Sequence, residues 1–390
     1  MDINLNQLQA YIDSEESKIR EIENFSNEML PNDDSDEEKA PEGKIWKAFA
    51  DENSFLKMTH FTRFDIIDLF REMEECGMKC PKKGRKSNIS DMDALLAYLV
   101  LVKTGMDYET LGSFLKISTS SLIRALDRIG PVLQETLKNR WWNDRKRPVP
   151  LTTTNFPYIA LCADSTSIEI NRPKARFEES KIYYDAKNKI YALKKECAVM
   201  ASPPHYCLFS QRAVTGSTHD FNILKSTYSS YVGYLAKQND EINMIATDYI
   251  NPSWAILFDS AYVCDDERKT PELRKIALAK GERTQTQRNT HRELCRIRVV
   301  VEQFFGRLKS LWSLFRKPYR FAHDRFDMDF DICAMLTNEH IKANLLEDND
   351  QQFYRNLRNI TRSRQEDKQK RRREQVAESK KKKKQRSSQT

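Results

Sequence analysis

Hydrophobic positions recur along this chain at two periods, and the change from one to the other divides it. Over 58–77, "MTHFTRFDIIDLFREMEECG" sets Phe61, Phe64, Ile67, Leu69 and Phe70 at helical spacing. "SDMDALLAYLVLVKTG" (90–105) opens on Ser90, an N-cap candidate, and closes on Gly105. "DYETLGSFLKI" and "STSSLIRALDRIG" follow with almost no loop, and Leu122, Ile123, Leu126 and Ile129 of the second face inward behind Ser118. From about 156 the pattern becomes strand-like. "YIALCADSTSIEI", "IYALKKECAVMAS" and "HYCLFSQRAVTG" are separated by the turn signals "DAKNK" and "SPP". "HDFNILKSTYSSYVGYLAKQ" then predicts a helix, "WAILFDSAY" a short buried strand, and 291–315 a long helix. Consecutive strands, a helix, a strand and a helix predict a mixed α/β domain over 156–346, preceded by a helical domain over 44–140.

Two short helices with a tight turn and a Ser/Thr-rich start to the second fit either a helix-turn-helix (about 90–133) or an ordinary helical hairpin. In the first case Ser118, Thr119, Ser121, Arg124 and Arg128 would face DNA. "WWNDRKRPVP" begins a basic linker (141–155). Residues 1–30 carry Leu5, Leu8, Ile12, Ile19, Ile22 and Met29 in heptad places, a short coiled coil broken by Glu15 and Ser26.

Charge sharpens the ends. The net +8 hides an N-terminal segment (1–43) whose first 42 residues hold thirteen acidic and three basic side chains. The last 29 residues hold thirteen basic and four acidic, including "KRRR" and "KKKKK". The tail 347–390 therefore reads as disordered, and as a nuclear-localisation or nucleic-acid patch or merely a soluble end. The expected compartment is the nucleus. No apolar run approaches the roughly 20 residues of a membrane span. The eight cysteines are scattered, and Cys76 and Cys80 lack a second pair to complete a zinc site. The acidic, polar start does not resemble a signal peptide.

Nucleotide-cradling loops, HExxH and GxSxG are absent. Acidic residues on apolar strands remain. Asp164 interrupts "IALCAD" and Asp259 ends "AILFD", although strands disfavour aspartate. On the long helix, Leu294, Ile297, Val300, Val301, Phe304, Leu308 and Leu311 form one arc. Glu302 lies outside it, on a ridge with Cys295, Arg298, Gly306 and Lys309. Taken alone, Glu302 fits a surface pair with Arg298. Three carboxylates meeting at one sheet edge would instead repel one another and need cations, and oxygen-only ligands suit Mg²⁺ or Mn²⁺. Two such ions would clamp a phosphodiester. His219 and Asp220 precede a helix and either orient a ligand or cap that helix.

"ADSTSIEI", "GSTHDFNIL", "ILFDSAY" and "RNTHRELCRIRVVVEQFFGRLKSLW", in that order, resemble the DDE superfamily endonucleases, the PIF/Harbinger-like DDE transposases. The likeness covers about 60–345. It implies an RNase H-like mixed sheet flanked by helices, after an all-helical helix-turn-helix domain. It also implies Asp164, Asp259 and Glu302 as catalytic metal ligands, two Mg²⁺ or Mn²⁺ ions, and cleavage of DNA followed by attack of a freed 3′-hydroxyl. The chain departs from the pattern at Gln303, where a basic residue is common, and in a long Asp164–Asp259 spacing. Residues 268–298 hold ten basic and three acidic side chains. With Arg298, Lys309, Arg316 and Lys317 they are expected to bind phosphate backbone. Expected partners are DNA and a second copy of the chain, and such elements often use a Myb-like DNA-binding protein. A transposon-derived, non-catalytic DNA-binding protein is the alternative.

Overall fold

The computed structural model describes residues 43–77 (apart from 50), 89–143, 155–259 (apart from 175, 246, 247 and 249), 262, 274–277 and 284–387. The coiled-coil reading of 1–30, the acidic segment to 42 and linker residues 144–154 lie outside these.

The helical region runs α1 (Lys44–Ala48), α2 (Glu52–Thr59), α3 (Arg63–Glu75), α4 (Asp91–Thr104), α5 (Tyr108–Leu115) and α6 (Thr119–Lys138). The expected caps form. Ser90 accepts from the Asp93 amide, Ser118 accepts from Ser121, and Gly105 ends α4 in the left-handed region at φ 60°. Helix α4 is buried on nearly every side, with Ala94 to Val102 all inaccessible, so it is the axis around which the others pack. Its Asp93 carboxylate also accepts from the backbone of Lys44, Ile45 and Trp46, satisfying free donors at the start of α1.

The strands are β1 (Ile159–Glu169), β2 (Tyr184–Asp185) after the short helix α7 (Phe177–Lys181), β3 (Ile190–Met200), β4 (Cys207–Ser210), β5 (Val214–Thr215), β6 (Ala255–Phe258) and β7 (Lys275–Ala277). Helix α8 (Asp220–Leu235) lies between β5 and β6. After β7 come α9 (Gln285–Leu311), α10 (Ser313–Arg316), α11 (Phe326–Ala343) and α12 (Asp348–Ser387). The third candidate strand is split into β4 and β5, while β2, β7, α11 and α12 were not anticipated. The sheet is mixed. Its order is β2-β3-β1-β6-β7, with β4 and β5 also on β3. β1 is antiparallel to β3 and parallel to β6, and β6 is parallel to β7. One face packs on α9 and the helical region through Cys162, Cys197, Val199 and Leu257. The other packs on α8 through Ala163, Ala198, Phe258, Leu224 and Tyr231.

Two expectations are corrected here. The linker does not begin at 141. Asn139–Asn143 continue α6 as a π-helical turn, Trp141 is fully buried, and the Trp142 indole donates to the Cys207 carbonyl at 3.1 Å. Arg140 binds Glu72 and, at 2.9 Å, Glu339 of α11. Tyr98 of α4 and Tyr319 both donate to buried Asp329. The helical region and the sheet thus share one core. The tail is also not unstructured from 347, because α12 begins at Asp348 and packs along α9. Its charge pattern hides a short docking face in its first turns, and the basic runs lie beyond that face.

Candidate active site

Sheet register sets the site. β1 and β6 run parallel with Leu161 beside Ile256 and Cys162 beside Leu257. Asp164 is two residues past Cys162 within β1 and Asp259 two residues past Leu257, just beyond β6, so continuing this register puts both at one level on one face. That face is the one under α9, since the Cys162 thiol contacts the Ile297 carbonyl at 3.5 Å. The next residue of α9, Arg298, and Glu302 one turn later therefore overhang the two aspartates.

Arg298 joins them. Its Nη1 donates to Asp164 Oδ2 at 3.0 Å and its Nη2 to Glu302 Oε1 at 2.6 Å. The pair expected on the surface is in fact largely covered, with side-chain exposures of 16% for Arg298 and 12% for Glu302. The Arg298 Nε is buried without a hydrogen-bond partner. Burial pushes the Asp164 carboxyl up to about 6 against the pull of Arg298, and the charge of Asp259 adds to the rise. Burial lowers the Arg298 guanidinium, but the charges of Asp164, Glu302 and Asp259 outweigh it and raise its pKa. Burial opposes ionisation of Glu302, yet hydrogen bonds from Gln351 and Arg298 and the charges of Arg298 and Arg355 hold it below its usual value. Three carboxylates from two strands and a helix thus surround one guanidinium.

The donor set is oxygen only, which suits Mg²⁺ or Mn²⁺. Among the described residues no three Asp, Glu, His or Cys side chains already converge on one point. Arg298 stands between Asp164 and Glu302 and keeps them apart.

His219 caps α8, its Nδ1 accepting from the Phe221 amide at 3.2 Å. Asp220 accepts from the Ser165 hydroxyl at 2.8 Å and pairs with Lys194 at 3.4 Å, which ties it to the strand segment carrying Asp164. Arg316 and Lys317 are exposed on the rim of a cleft that also includes Asp164, Lys187 and Arg358. Lys309 is corrected. It is 6% exposed, donates to the Ser167 carbonyl at 3.3 Å and lies 5.1 Å from the Tyr354 ring, and burial pushes its ammonium down to about 7. The helical wheel left it on an open ridge, but α12 covers that ridge. In the helical region Arg124 is exposed and Thr119 half-buried. Ser118 and Ser121 bond to each other at 2.8 Å, and Arg128 binds Asp91 and the Ile89 carbonyl.

The sequence reading missed four residues. Glu196 of β3, opposite Ser165, is buried with one oxygen accepting from Tyr231 at 2.8 Å. A charged residue within "KKECAVM" was its only signal. Gln351, Tyr354 and Arg355 gave none, because the docking of α12 was not foreseen.

A helix-flanked mixed sheet with one carboxylate inside β1, another just past the adjacent β6, and a helix-borne glutamate above them fits the class of mixed-sheet nucleases. Residues 163–338 match the DDE superfamily endonuclease family. The match spans Asp164, Asp259 and Glu302. No curated protein and no solved structure matches the chain. Among the described residues no helix is long and apolar enough to cross a membrane.

Proposed function

We propose that this chain is a DDE-type transposase or endonuclease of the PIF/Harbinger-like kind, cleaving phosphodiester bonds of DNA and transferring a strand, with Asp164, Asp259 and Glu302 as its catalytic acids. The observation that carries the reading is the bridging of Asp164 and Glu302 by Arg298 on the sheet face shared with Asp259. Carboxylates gathered around the chain's own cation make a site prepared for positive charge, since like charges about 4 Å apart repel by roughly 4 kcal/mol at an effective dielectric near 20. The strand order, with β4, β3 and β1 antiparallel and then β6 and β7 parallel, supports an RNase H-like domain.

Asp164, Asp259 and Glu302 would hold Mg²⁺ or Mn²⁺. Two such ions, when bound, activate the attacking water or 3′-hydroxyl and stabilise the leaving oxygen. The chain's own part is positional. The middle of β1 fixes Asp164, the end of β6 fixes Asp259, and α9 brings Glu302 over them. Arg298 stays beside the carboxylates as a donor able to move to a phosphate oxygen. Exposed Arg316, Lys317 and Arg358 line the approach and attract the backbone. Exposed Arg124 of α6 and the basic runs of the C-terminal sequence are further candidate phosphate contacts, with the helix-turn-helix as a second DNA contact. The reading extends to a nuclear protein that works as a homo-oligomer on DNA, with a Myb-like DNA-binding protein as its partner.

The test is plasmid nicking with Mg²⁺ or Mn²⁺. The wild-type chain nicks, EDTA stops it, and Asp164→Asn loses it while still binding DNA. DNA binding with no metal-dependent nicking in the wild type would overturn the reading in favour of a non-catalytic DNA-binding protein.

A further inference from the structure

The chain beyond the matched segment returns to the site. Helix α12 approaches α9 so closely that a Cβ on Gly306 would overlap the Asp350 carbonyl oxygen, so the glycine is required by contact. Arg307 fastens the start of α12. It donates to both Asp350 carboxylate oxygens at 2.7 Å, and to the carbonyls of Asn344 at 2.7 Å and Leu345 at 2.9 Å. The next residue, Gln351, donates from its side-chain amide to Glu302 Oε2 at 2.8 Å, and Arg355 Nη2, one turn on, reaches the same oxygen at 3.3 Å. Between them Tyr354 is buried. Its hydroxyl lies 3.1 Å from Thr166 Oγ1, two residues past Asp164, and its ring covers Lys309.

Residues 351, 354 and 355 share one helix face, as three- and four-residue spacing requires. That face gives Glu302 a complete hold: Arg298 takes one carboxylate oxygen, and Gln351 and Arg355 take the other. On α9 alone, Glu302 would be held only through one oxygen, by Arg298, and its second oxygen would have no partner on that helix. The neutral Gln351 amide fixes the rotation of the carboxylate without cancelling its charge.

We propose that α12 is an integral part of the active site, with Gln351 and Arg355 as positioning residues for Glu302 and Tyr354 pinning the helix to β1 beside Asp164. This rests on the endonuclease reading above. Partners that orient a metal-binding side chain are each typically worth about 10- to 100-fold in metal affinity or activity.

The experiment uses the full chain and two readouts: Mn²⁺ binding, from the free-ion electron paramagnetic resonance signal, and nicking rate at saturating DNA. Gln351→Leu is expected to weaken Mn²⁺ binding and slow nicking about tenfold each, with the half-saturating DNA concentration changed less than twofold. Arg355→Leu should show a smaller loss that Arg355→Lys largely restores. Gly306→Val, which pushes α12 away without altering any bonded group, should reproduce the loss. Unchanged Mn²⁺ affinity and nicking in folded Gln351→Leu would overturn the proposal. Faster nicking in Gly306→Val would also overturn it, showing that α12 blocks the site. If the wild-type chain does not nick, or Asp164→Asn nicks as well as wild type, the endonuclease reading falls. The Mn²⁺ titration of Gln351→Leu then decides the role of α12 by itself.

Discussion

Glu196 sits in the sheet interior with 1% exposure, one oxygen accepting from Tyr231 and the other buried without a hydrogen bond. Burial raises its carboxyl from 4.5 to about 7; the Tyr231 hydrogen bond opposes the rise, and the charges of Asp164 and Asp220 add to it. The folded chain therefore keeps this proton up to about pH 7, whereas the unfolded chain releases it near 4.5. Between those values the folded state binds more protons, so stability falls as pH rises. The stabilising contribution is fully present below pH 4.5 and is lost as the pH passes through about 7. That interval is worth about 3 kcal/mol, to order of magnitude.

Glu196→Gln removes the titration but keeps an acceptor for Tyr231. Urea unfolding of both chains at several pH values isolates this group, because Asp164, Lys309 and the other titrating residues are common to both. The difference in stability should be close to constant below pH 4.5. It should then move in favour of the glutamine variant by about 3 kcal/mol on reaching about pH 8. A difference that stays flat from about pH 4 to about pH 8 would mean that the fold does not retain this proton. One that moves the opposite way would show that Glu196 is ionised and paired in the fold.

Other outcomes rest on neighbouring interactions. Lys195 is 1% exposed and holds Asp327 at 2.7 Å and Asp331 at 2.9 Å, so Lys195→Met leaves both carboxylates without their buried cation and should cost about 3 kcal/mol in chemical denaturation, since Ala213 and Gln134 still donate to them. Ending the chain at residue 346 uncovers Gly306, Lys309 and Phe305 and removes buried Tyr354; the shortened protein should melt at a lower temperature by calorimetry. Replacing Lys380–Lys384 by glutamine should leave melting unchanged but flatten the salt dependence of DNA binding, by about 0.9 in log–log slope for each phosphate the tail no longer neutralises.

The parts of this fold that could be read in the sequence are those where one periodicity decides the outcome. β1, β3, β6, α8 and α9 follow alternation or helical spacing over enough residues to stand out, and Ser90, Ser118 and Gly105 punctuate them locally. Asp164 and Asp259 were visible because an aspartate within an apolar strand conflicts with its surroundings. Their common level could not be seen, since it depends on the Cys162–Leu257 register between strands far apart in the chain. β2 and β5 are two residues each and β7 is three, too short for any period to show. The largest error has a single cause. The wheel of α9 separates one apolar arc from a polar ridge, and a polar ridge reads as solvent-facing. Here the ridge is covered by polar matching: Arg307 with Asp350, Glu302 with Gln351 and Arg355, and a glycine where the backbones meet. An interface built mainly from ion pairs and a close approach, with Phe305 against Tyr354 as its aromatic contact, leaves no hydrophobic stripe along that ridge, so the sequence alone puts Lys309 in solvent and α12 in disorder. Gly306, a poor helix former in mid-helix, was the one letter marking that approach.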